Sequence, residues 1–237
     1  MFLFVMGSSY DVLFFSAHPD DVEFGMGGTY LKIARKYKAI HVILTRGEAG
    51  THGTPEKRVK EAGEAGKYAG AGVEFLDFKD NHIEDNVENA KKLAAAIRKY
   101  KPKIIFSPYH SITGSHTDGI SHPDHVALGR LVLKAARFAK FKNAEIDGEH
   151  HLAQRIFYYM VPRHVMPSLV VDVSDVAEDL EGLWKCHKTQ MALRDGTIIN
   201  MLWEYRRITG KIHGLECAEH FLVDSPLKLD YEDFLRV

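Results

Sequence analysis

A histidine and two carboxylates lie within four residues of each other, directly after an apolar run. Residues 17–23 read AHPDDVE and follow the run VLFF at 12–15. A short apolar run bounded by polar residues is typical of a buried strand, and open α/β sheets bind ligands at the carboxyl ends of their strands. The polar side chains concerned are those of His18, Asp20 and Asp21. Residue types of this kind at such a position indicate metal-assisted hydrolysis.

A second polar stretch, HPDH at 122–125, also follows an apolar run, KIIF at 103–106, after an intervening polar segment. Because both stretches follow predicted strands, both can meet at one edge of the sheet. Zinc hydrolases typically use three nitrogen or oxygen ligands and leave a fourth position for water. We expect His18, Asp21 and His125 to be these ligands.

The other side chains of the two stretches suit the remaining steps of a hydrolysis. Asp20 is adjacent to a predicted ligand but points elsewhere, so it can serve as general base on the metal-bound water. His122 and His125 lie three positions apart at the start of a predicted helix and therefore share a face. One of them can bind the metal while the other faces the substrate. Asp124 is placed to orient an imidazole and fix its tautomer.

Each stretch taken alone has an ordinary structural explanation. An Asp-Asp pair after a strand is most often a helix N-cap, and a His-Pro pair is most often a turn. Their combination in one chain favours function. Two alternatives stay open: a non-catalytic sugar- or nucleotide-binding α/β module with a structural metal site, and Fe²⁺ in place of Zn²⁺, since two histidines and a carboxylate also form the facial triad of iron sites.

Apolar runs and helical periodicities alternate along the chain. Strands are predicted at 10–16, 40–44, 73–78, 103–106, 156–160 and 169–173. Helices are predicted at 27–37, 55–67, 87–100, 122–138 and from 174 or 175 onward, and the pattern beyond 195 is mixed. This alternation predicts an α/β fold with a mostly parallel sheet flanked by helices, in a single domain over residues 1–237.

The loop after the second predicted strand, TRGEAGTHGTP at 45–55, is polar and rich in glycine. Loops of this kind often carry binding residues, so Arg46, Glu48 and the nearby Arg58 are candidates for contacts with substrate. A guanidinium group can clamp a carboxylate or phosphate in two places. The alternative for Arg58 is an ion pair along its own helix, for example with Glu61.

Nine of the eleven remaining histidines divide into two groups. His110, His116 and Asp118 lie in the polar segment before the second stretch, where they either contribute to the site or are solvated. The others are predicted to be surface or satisfied core residues: His41, His150, His151, His164, His187, His213 and His220.

Composition disfavours several classes of partner and location. The 31 basic and 32 acidic side chains give a net charge of -1 without a basic stripe, which disfavours binding to nucleic acid. The apolar start, residues 1–6, lacks a basic n-region and is far shorter than a membrane span. Cys186 and Cys217 have no metal-binding spacing and suit a reducing compartment. We therefore expect a cytoplasmic protein that binds neither nucleic acid nor membrane.

The two-part signature of AHPDDVE at 17–23 and HPDH at 122–125 resembles a family, the LmbE-like or PIG-L zinc-dependent N-acetylglucosamine-type deacetylases. Further segments that look like the family are TRGE at 45–48, CHKTQ at 186–190 and AEHF at 218–221. The resemblance covers most of the chain. It implies a Rossmann-like fold and Zn²⁺ held at the three predicted ligand positions. It also implies Asp20 as the base and His122 as an imidazolium that stabilises the oxyanion, with Asp124 behind it.

The resemblance also implies a substrate class and an assembly. The substrate would be an amino sugar whose N-acetyl group is hydrolysed: an N-acetylglucosaminyl-malate-like, inositol-linked or chitobiose-like conjugate. Family members are often homo-oligomers, hexamers among them, so we expect more than a monomer. Apolar residues near the C-terminus agree with a covered surface: Phe221, Leu222, Val223, Leu227, Leu229 and Phe234.

Overall fold

Most of the predicted runs become regular elements in the computed structural model, which describes residues 9–111 and 122–227. The strands within those ranges are β1 (Val12–Ser16), β2 (Ala39–Ile43), β3 (Gly72–Phe75), β4 (Ile104–Pro108), β5 (Arg155–Tyr159), β6 (Leu169–Asp172) and β7 (Ala218–Val223). The α-helices are α1 (Asp21–Ala34), α2 (Pro55–Ala69), α3 (Val87–Tyr100), α4 (Pro123–Ala139), α5 (Ala177–Trp184) and α6 (Ile198–Ile212). Short 3₁₀ helices span Ser174–Val176 and Gln190–Gly196.

The strands form one sheet in the order β3-β2-β1-β4-β5-β7-β6. The first five are parallel, and β7 runs antiparallel between β5 and β6. The predicted α/β fold with a mostly parallel, helix-flanked sheet is thereby confirmed. The strand order reverses between β1 and β4, and such a switch point is where open α/β sheets bind ligands. Both polar stretches lie at this edge, because one follows β1 and the other begins the helix after β4.

Helices cover both faces of the sheet. Phe14 and Phe15 of β1 are fully buried in two different clusters, because successive side chains of a strand point to opposite faces. The cluster around Phe14 includes residues of α1, α5 and α6, whereas the cluster around Phe15 includes residues of α3 and α4. Each buried phenylalanine contributes about 1.5–3 kcal/mol to folding. Every residue of the strand that precedes the first polar stretch is buried.

Helix α1 differs from its prediction. The sequence predicts a turn through the glycines and a helix over 27–37, but the helix begins at Asp21 and ends at Ala34. It is kinked at Met26, whose backbone angles are φ -150° and ψ 32°. The first polar stretch therefore continues directly into a short helical segment, and Asp21 is its first residue.

The C-terminal region, ambiguous in sequence, supplies α6 and β7. Phe221 of β7 is 1% exposed and its ring packs edge-on against Phe106 of β4. It is therefore part of the core and not of a covered outer surface, whereas Leu227 is 37% exposed. The other residues named for that surface beyond 227 lie outside the described residues. Cys186 and Cys217 are free thiols, and none of the described helices is long and apolar enough to cross a membrane.

Two glycines provide a matched test of how closely α1 packs. A Cβ added at Gly28 would lie 2.6 Å from Val173 Cβ and 2.7 Å from its Cγ1, whereas one added at Gly63, an exposed position of α2, meets nothing within 4 Å. We expect Gly28→Ala to destabilise the fold by about 1–3 kcal/mol through overpacking. Gly63→Ala should stabilise it by about 0.4–1 kcal/mol by restricting the unfolded chain. Thermal unfolding of both variants measures this, and equal changes would contradict the close contact.

Candidate active site

Three ligand atoms converge at the switch point of the sheet. His18 Nδ1 lies 3.2 Å from His125 Nε2 and 3.5 Å from Asp21 Oδ1, and the last two atoms lie 3.0 Å apart. We call these three atoms the ligand triangle. Their side chains are at most 11% exposed. A tetrahedral zinc site with bonds of about 2.0–2.2 Å has ligand atoms about 3.3–3.6 Å apart. The structure thus brings the three predicted metal ligands together at a spacing that fits a small divalent cation.

The opposite nitrogen of His18 faces two carboxylates. His18 Nε2 lies 3.1 Å from Asp80 Oδ1 and 3.4 Å from Asp124 Oδ2. A hydrogen on Nε2 leaves the lone pair of Nδ1 free for a metal, and a carboxylate behind a histidine ligand is common in metal sites. Burial lowers the pKa of His18, but Asp21, Asp124 and Asp80 outweigh it and raise that pKa well above its usual value. Two imidazole nitrogens and a carboxylate oxygen, with carboxylates behind His18, form a donor set that suits a divalent metal ion.

Asp80 was not identified from the sequence. It follows β3, where the loop is tied to the loop after β2: Asp80 N donates to Glu48 Oε1 over 2.8 Å, and Ala49 N donates to Asp80 Oδ2 over 2.9 Å. Burial raises the pKa of Asp80, but His18 outweighs it and the pKa falls to about 2. The only sequence signal is a carboxylate after a third strand of the sheet, at the same edge as the two polar stretches.

We expect Asp80→Asn to weaken zinc binding by about 10–100-fold, as loss of a carboxylate behind a ligating histidine typically does. The amide keeps the size of the side chain but not the charge that holds the His18 tautomer. Competition with a chelating dye measures the dissociation constant. Asp77→Asn is the matched control, since its carboxylate is 93% exposed and pairs only with Arg46 among the ion pairs of the described residues. Equal affinities in both variants would show that Asp80 does not orient His18.

The carboxylate of Asp20 pairs with an arginine and is not one of the three atoms of the ligand triangle. Its Oδ1 accepts a hydrogen bond of 3.0 Å from Arg58 Nη2, and Arg58 Nη1 donates to the carbonyl of Gly47. Arg58 is 5% exposed, so this is a buried ion pair. The guanidinium passes so close to Gly47, whose φ is +67°, that a side chain there would overlap it. The sequence offered Arg58 either to substrate or to a partner on its own helix, and the structure places it on Asp20.

The other two candidate substrate residues have different environments. Arg46 is 43% exposed at its side chain and pairs with Asp77 over 2.8 Å. Glu48 accepts hydrogen bonds from the backbone N–H groups of Arg46 and Asp80. Arg46 can therefore turn to a ligand at small cost, because exposed ion pairs contribute only about 0–1 kcal/mol. Glu48 holds the two loops together.

His122 is the N-cap of α4, with its ring centre 4.9 Å from that of His18 and 5.2 Å from that of His125. Its Nδ1 accepts a hydrogen bond from Asp124 N, so in the neutral ring the proton is on Nε2. Burial is the main cause that lowers the pKa of His122, and the nearby imidazoles of His18 and His125 lower it further. This favours a neutral hydrogen-bond donor. One nitrogen from each of these three histidines also falls within 4.8 Å of the others, so His122 competes for the role of ligand.

The carboxylate of Asp124 faces His18, whereas the resemblance placed it behind His122. Asp124 Oδ2 also accepts from Asn81 N over 2.8 Å and Oδ1 from Ile83 N over 3.3 Å. These bonds tie the loop after β3 to the start of α4. Asp124 is 2% exposed. Its carboxylate therefore positions both His18 and that loop.

His110 lies beside β5, where its Nε2 is 3.4 Å from Asp224 Oδ1 and its ring contacts Tyr158. The structure places it in contact with the C-terminal part of the sheet. The predictions for His116 and Asp118 fall outside the described residues.

A buried charged group behind the site was also missed. Glu23 is fully buried, with Oε1 3.6 Å from His41 Nδ1 and Oε2 3.7 Å from His187 Nε2. Burial raises the pKa of Glu23, but the two imidazoles outweigh it and lower the pKa to about 2. His41 Nε2 lies 2.8 Å from Ser16 Oγ. The two histidines that the sequence assigned to surface or core therefore flank a carboxylate of the first polar stretch.

Comparison with known proteins agrees with this geometry. The family model described as "PIG-L: GlcNAc-PI de-N-acetylase" matches residues 13–136, which is more than half of the 237 residues. The chain belongs to the PIG-L family. The resemblance stated from the two polar stretches is confirmed, and the matched range contains both stretches.

Individual PIG-L relatives and structures extend the match. Diacetylchitobiose deacetylase of Thermococcus kodakarensis is 29% identical over 193 residues, which cover 76% of this chain and 69% of the relative. The crystal structure of the conserved protein TT1542 from Thermus thermophilus has a TM-score of 0.83 and 32% identity, covering 93% of this chain and 97% of that one. N,N'-diacetylchitobiose deacetylase from Pyrococcus horikoshii, complexed with its inhibitor MPG, has a TM-score of 0.78 and 25% identity, covering 90% and 83%.

Proposed function

We propose that this PIG-L protein is a zinc-dependent hydrolase that removes the acetyl group from the N-acetylglucosamine unit of a small conjugate. The ligand triangle carries the proposal, since His18 Nδ1, Asp21 Oδ1 and His125 Nε2 lie 3.0–3.5 Å apart. Three protein ligands leave a fourth position for water, which distinguishes catalytic from structural zinc sites. The names of two similar proteins as diacetylchitobiose deacetylases support the choice of substrate class.

The chain's own groups account for the proton transfers. His18, Asp21 and His125 would hold the divalent cation, which would act as a Lewis acid on the acetyl carbonyl and lower the pKa of a bound water molecule. Asp20, fixed by Arg58, takes a proton from the water while the oxygen of the water bonds to the carbonyl carbon. When the C–N bond breaks, the same proton passes to the leaving nitrogen. The second proton of the water is released when the new carboxyl group ionises and is taken up by the amine, so the products are acetate and the protonated amine.

His122 meets the charge that develops on the carbonyl oxygen. Its Nδ1 is occupied by the backbone N–H of Asp124, so its Nε2–H is the group free to donate. A donor placed for the oxyanion is typically worth about 10²–10³ in kcat. The neutral ring favoured by its lowered pKa suffices for this role, because donation needs only the Nε2 hydrogen.

A deacetylation panel tests the proposal. Metal-depleted protein, and protein reloaded with zinc or with ferrous iron, is assayed for acetate release from four compounds: free N-acetylglucosamine, diacetylchitobiose, N-acetylglucosaminyl-malate and the inositol conjugate. We expect no release without metal and release from at least one conjugate with it. Elemental analysis of protein purified without added metal separates zinc from iron. Sugar binding without acetate release under every metal would contradict the proposal and favour the non-catalytic module.

Arg46→Ala forms a second arm of the same panel and addresses the conjugate. If Arg46 leaves Asp77 to clamp an anionic group, its loss should raise KM for the malate conjugate far more than for neutral diacetylchitobiose. Equal changes in KM for both substrates would contradict the anion clamp but not the proposed hydrolysis.

Location and assembly remain part of the proposal. We infer that the protein binds neither nucleic acid nor membrane, on the grounds of its balanced charge of -1. We also infer that it is cytoplasmic, because the free thiols of Cys186 and Cys217 suit a reducing compartment. We also infer a homo-oligomer, with a hexamer as the form that the family resemblance favours. A light-scattering mass near the 26.8 kDa of one chain would contradict the oligomer.

A further inference from the structure

The break in α1 is filled by two charged side chains from the C-terminal region. In an uninterrupted helix the N–H of Gly28 would donate to the carbonyl of Phe24. Here Gly28 N donates to Glu219 Oε1 over 3.0 Å, and Arg206 Nη2 donates to the carbonyl of Phe24 over 3.1 Å. Glu219 and Arg206 are joined by an ion pair of 2.7 Å and are both 0% exposed. The pair therefore stands between two groups that would otherwise bond to each other.

Neighbouring groups complete the arrangement. The N–H of Thr29 donates to Glu219 Oε2 over 2.8 Å, so the carboxylate caps the second segment of α1 as an acidic group caps a helix N-terminus. Trp184 Nε1 donates to the carbonyl of Glu23 over 2.9 Å, and the guanidinium of Arg206 lies 4.8 Å from the centre of a Trp184 ring. Both ends of the break thus have partners, which is how a kink by side-chain insertion is stabilised.

The short segment before the break carries a predicted metal ligand. Asp21 is the first residue of α1, and its Oδ2 accepts from the N–H groups of Ala17 and His18 over 2.9 and 2.8 Å. Its Oδ1 belongs to the ligand triangle. The segment from Asp21 to Gly25 is little more than one helical turn, so the direction of that turn decides where Oδ1 points.

We propose that Arg206 and Glu219 are positioning residues for the metal site, and that they set the direction of the turn that presents Asp21. The inference rests on the metal site of the proposed function. Stability alone does not call for a buried ion pair, because apolar side chains of similar volume often serve the fold as well or better. What such side chains cannot do is accept from Gly28 and donate to Phe24 at once. The pair is thus required for the geometry of the break.

The test compares the same substitution at two buried arginines. Arg206→Lys keeps the charge opposite Glu219 but loses the fork that reaches Phe24. Arg98→Lys is the control, since Arg98 is 3% exposed and donates to the carbonyls of Ala139, Phe141 and Gly148 next to α3, on the other face of the sheet. Both variants should unfold at a lower temperature without metal. Only Arg206→Lys should bind zinc more weakly, by about tenfold or more, the range for residues that orient metal ligands.

Glu219→Gln is the stronger variant, because an amide replaces one of the two acceptor oxygens and removes the charge facing Arg206. We expect weaker zinc binding than in Arg206→Lys, and acetate release that recovers as free zinc is raised. Folded variants of both residues that bind zinc as tightly as Arg98→Lys, while the wild type binds and hydrolyses normally, would overturn the inference alone. A wild type that binds no zinc would overturn the metal site and this inference with it.

Discussion

The Asp20→Asn variant should keep its zinc and release acetate about 10²–10⁴-fold more slowly than the wild type, which is the usual contribution of a general base. The asparagine amide can still accept the hydrogen bond that Arg58 Nη2 donates to Oδ1 over 3.0 Å. It cannot take up the proton of the attacking water. Because Asp20 supplies no atom to the ligand triangle, the affinity for zinc should change little.

Zinc content by elemental analysis and kcat on diacetylchitobiose measure the two effects separately. Asp77→Asn is the control for loss of a carboxylate in the same region, since that side chain is 93% exposed. Full activity of Asp20→Asn with zinc bound would show that another group is the base. Loss of the zinc would show instead that Asp20 is a ligand.

The parts of the site that the sequence could predict are those that follow strands. His18 and Asp21 follow β1, and His125 lies in the first turn of the helix after β4. Parallel strands place all their carboxyl ends at one edge, so two stretches distant in the chain must approach each other once both strands pair. Strand pairing of Val12 with Ile104 provides this. Residue type and position after a strand were together enough to predict that these side chains meet.

The parts that could not be predicted depend on contacts between distant segments. Asp80 follows the edge strand β3. Its loop is held beside His18 by hydrogen bonds with Glu48 and Ala49 and by those from Asn81 and Ile83 to Asp124. His41 lies on β2 and His187 follows α5, yet both rings lie beside the same buried carboxylate. Their common partner, Glu23, is visible in sequence only as the end of the first polar stretch. Nothing local in either histidine's neighbourhood indicates that contact.

The misplaced start of α1 has the same origin. Glycines after a strand favour a turn, so the sequence predicted the helix only after them. The helical segment before the break persists because Trp184 and Arg206 donate to its free carbonyl groups, while Glu219 accepts from the N–H groups of the segment after the break. These residues lie far along the chain, and local propensity carries no information about them. A conflict between propensity and structure is expected where a functional turn is held by distant side chains.

Replacing His125 with alanine should abolish zinc binding at micromolar metal, whereas His122→Ala should bind zinc nearly as well as the wild type and lose only turnover. Both histidines are at the start of α4, three positions apart, so the two variants perturb the same helix end. His125 Nε2 is 3.0 Å from Asp21 Oδ1 and 3.2 Å from His18 Nδ1. Removing His125 leaves only His18 and Asp21 of the three predicted ligands.

The pair of variants also decides between two ligand sets that share two histidines. If the metal were held by His18, His122 and His125, whose nitrogens lie within 4.8 Å of one another, both variants would lose zinc to a similar extent. If Asp21 is the third ligand, His122→Ala keeps the metal and its kcat falls by about 10²–10³, the cost of one oxyanion donor. Zinc titration of both apo-proteins, followed by acetate release from zinc-loaded His122→Ala, therefore assigns the role of each histidine separately.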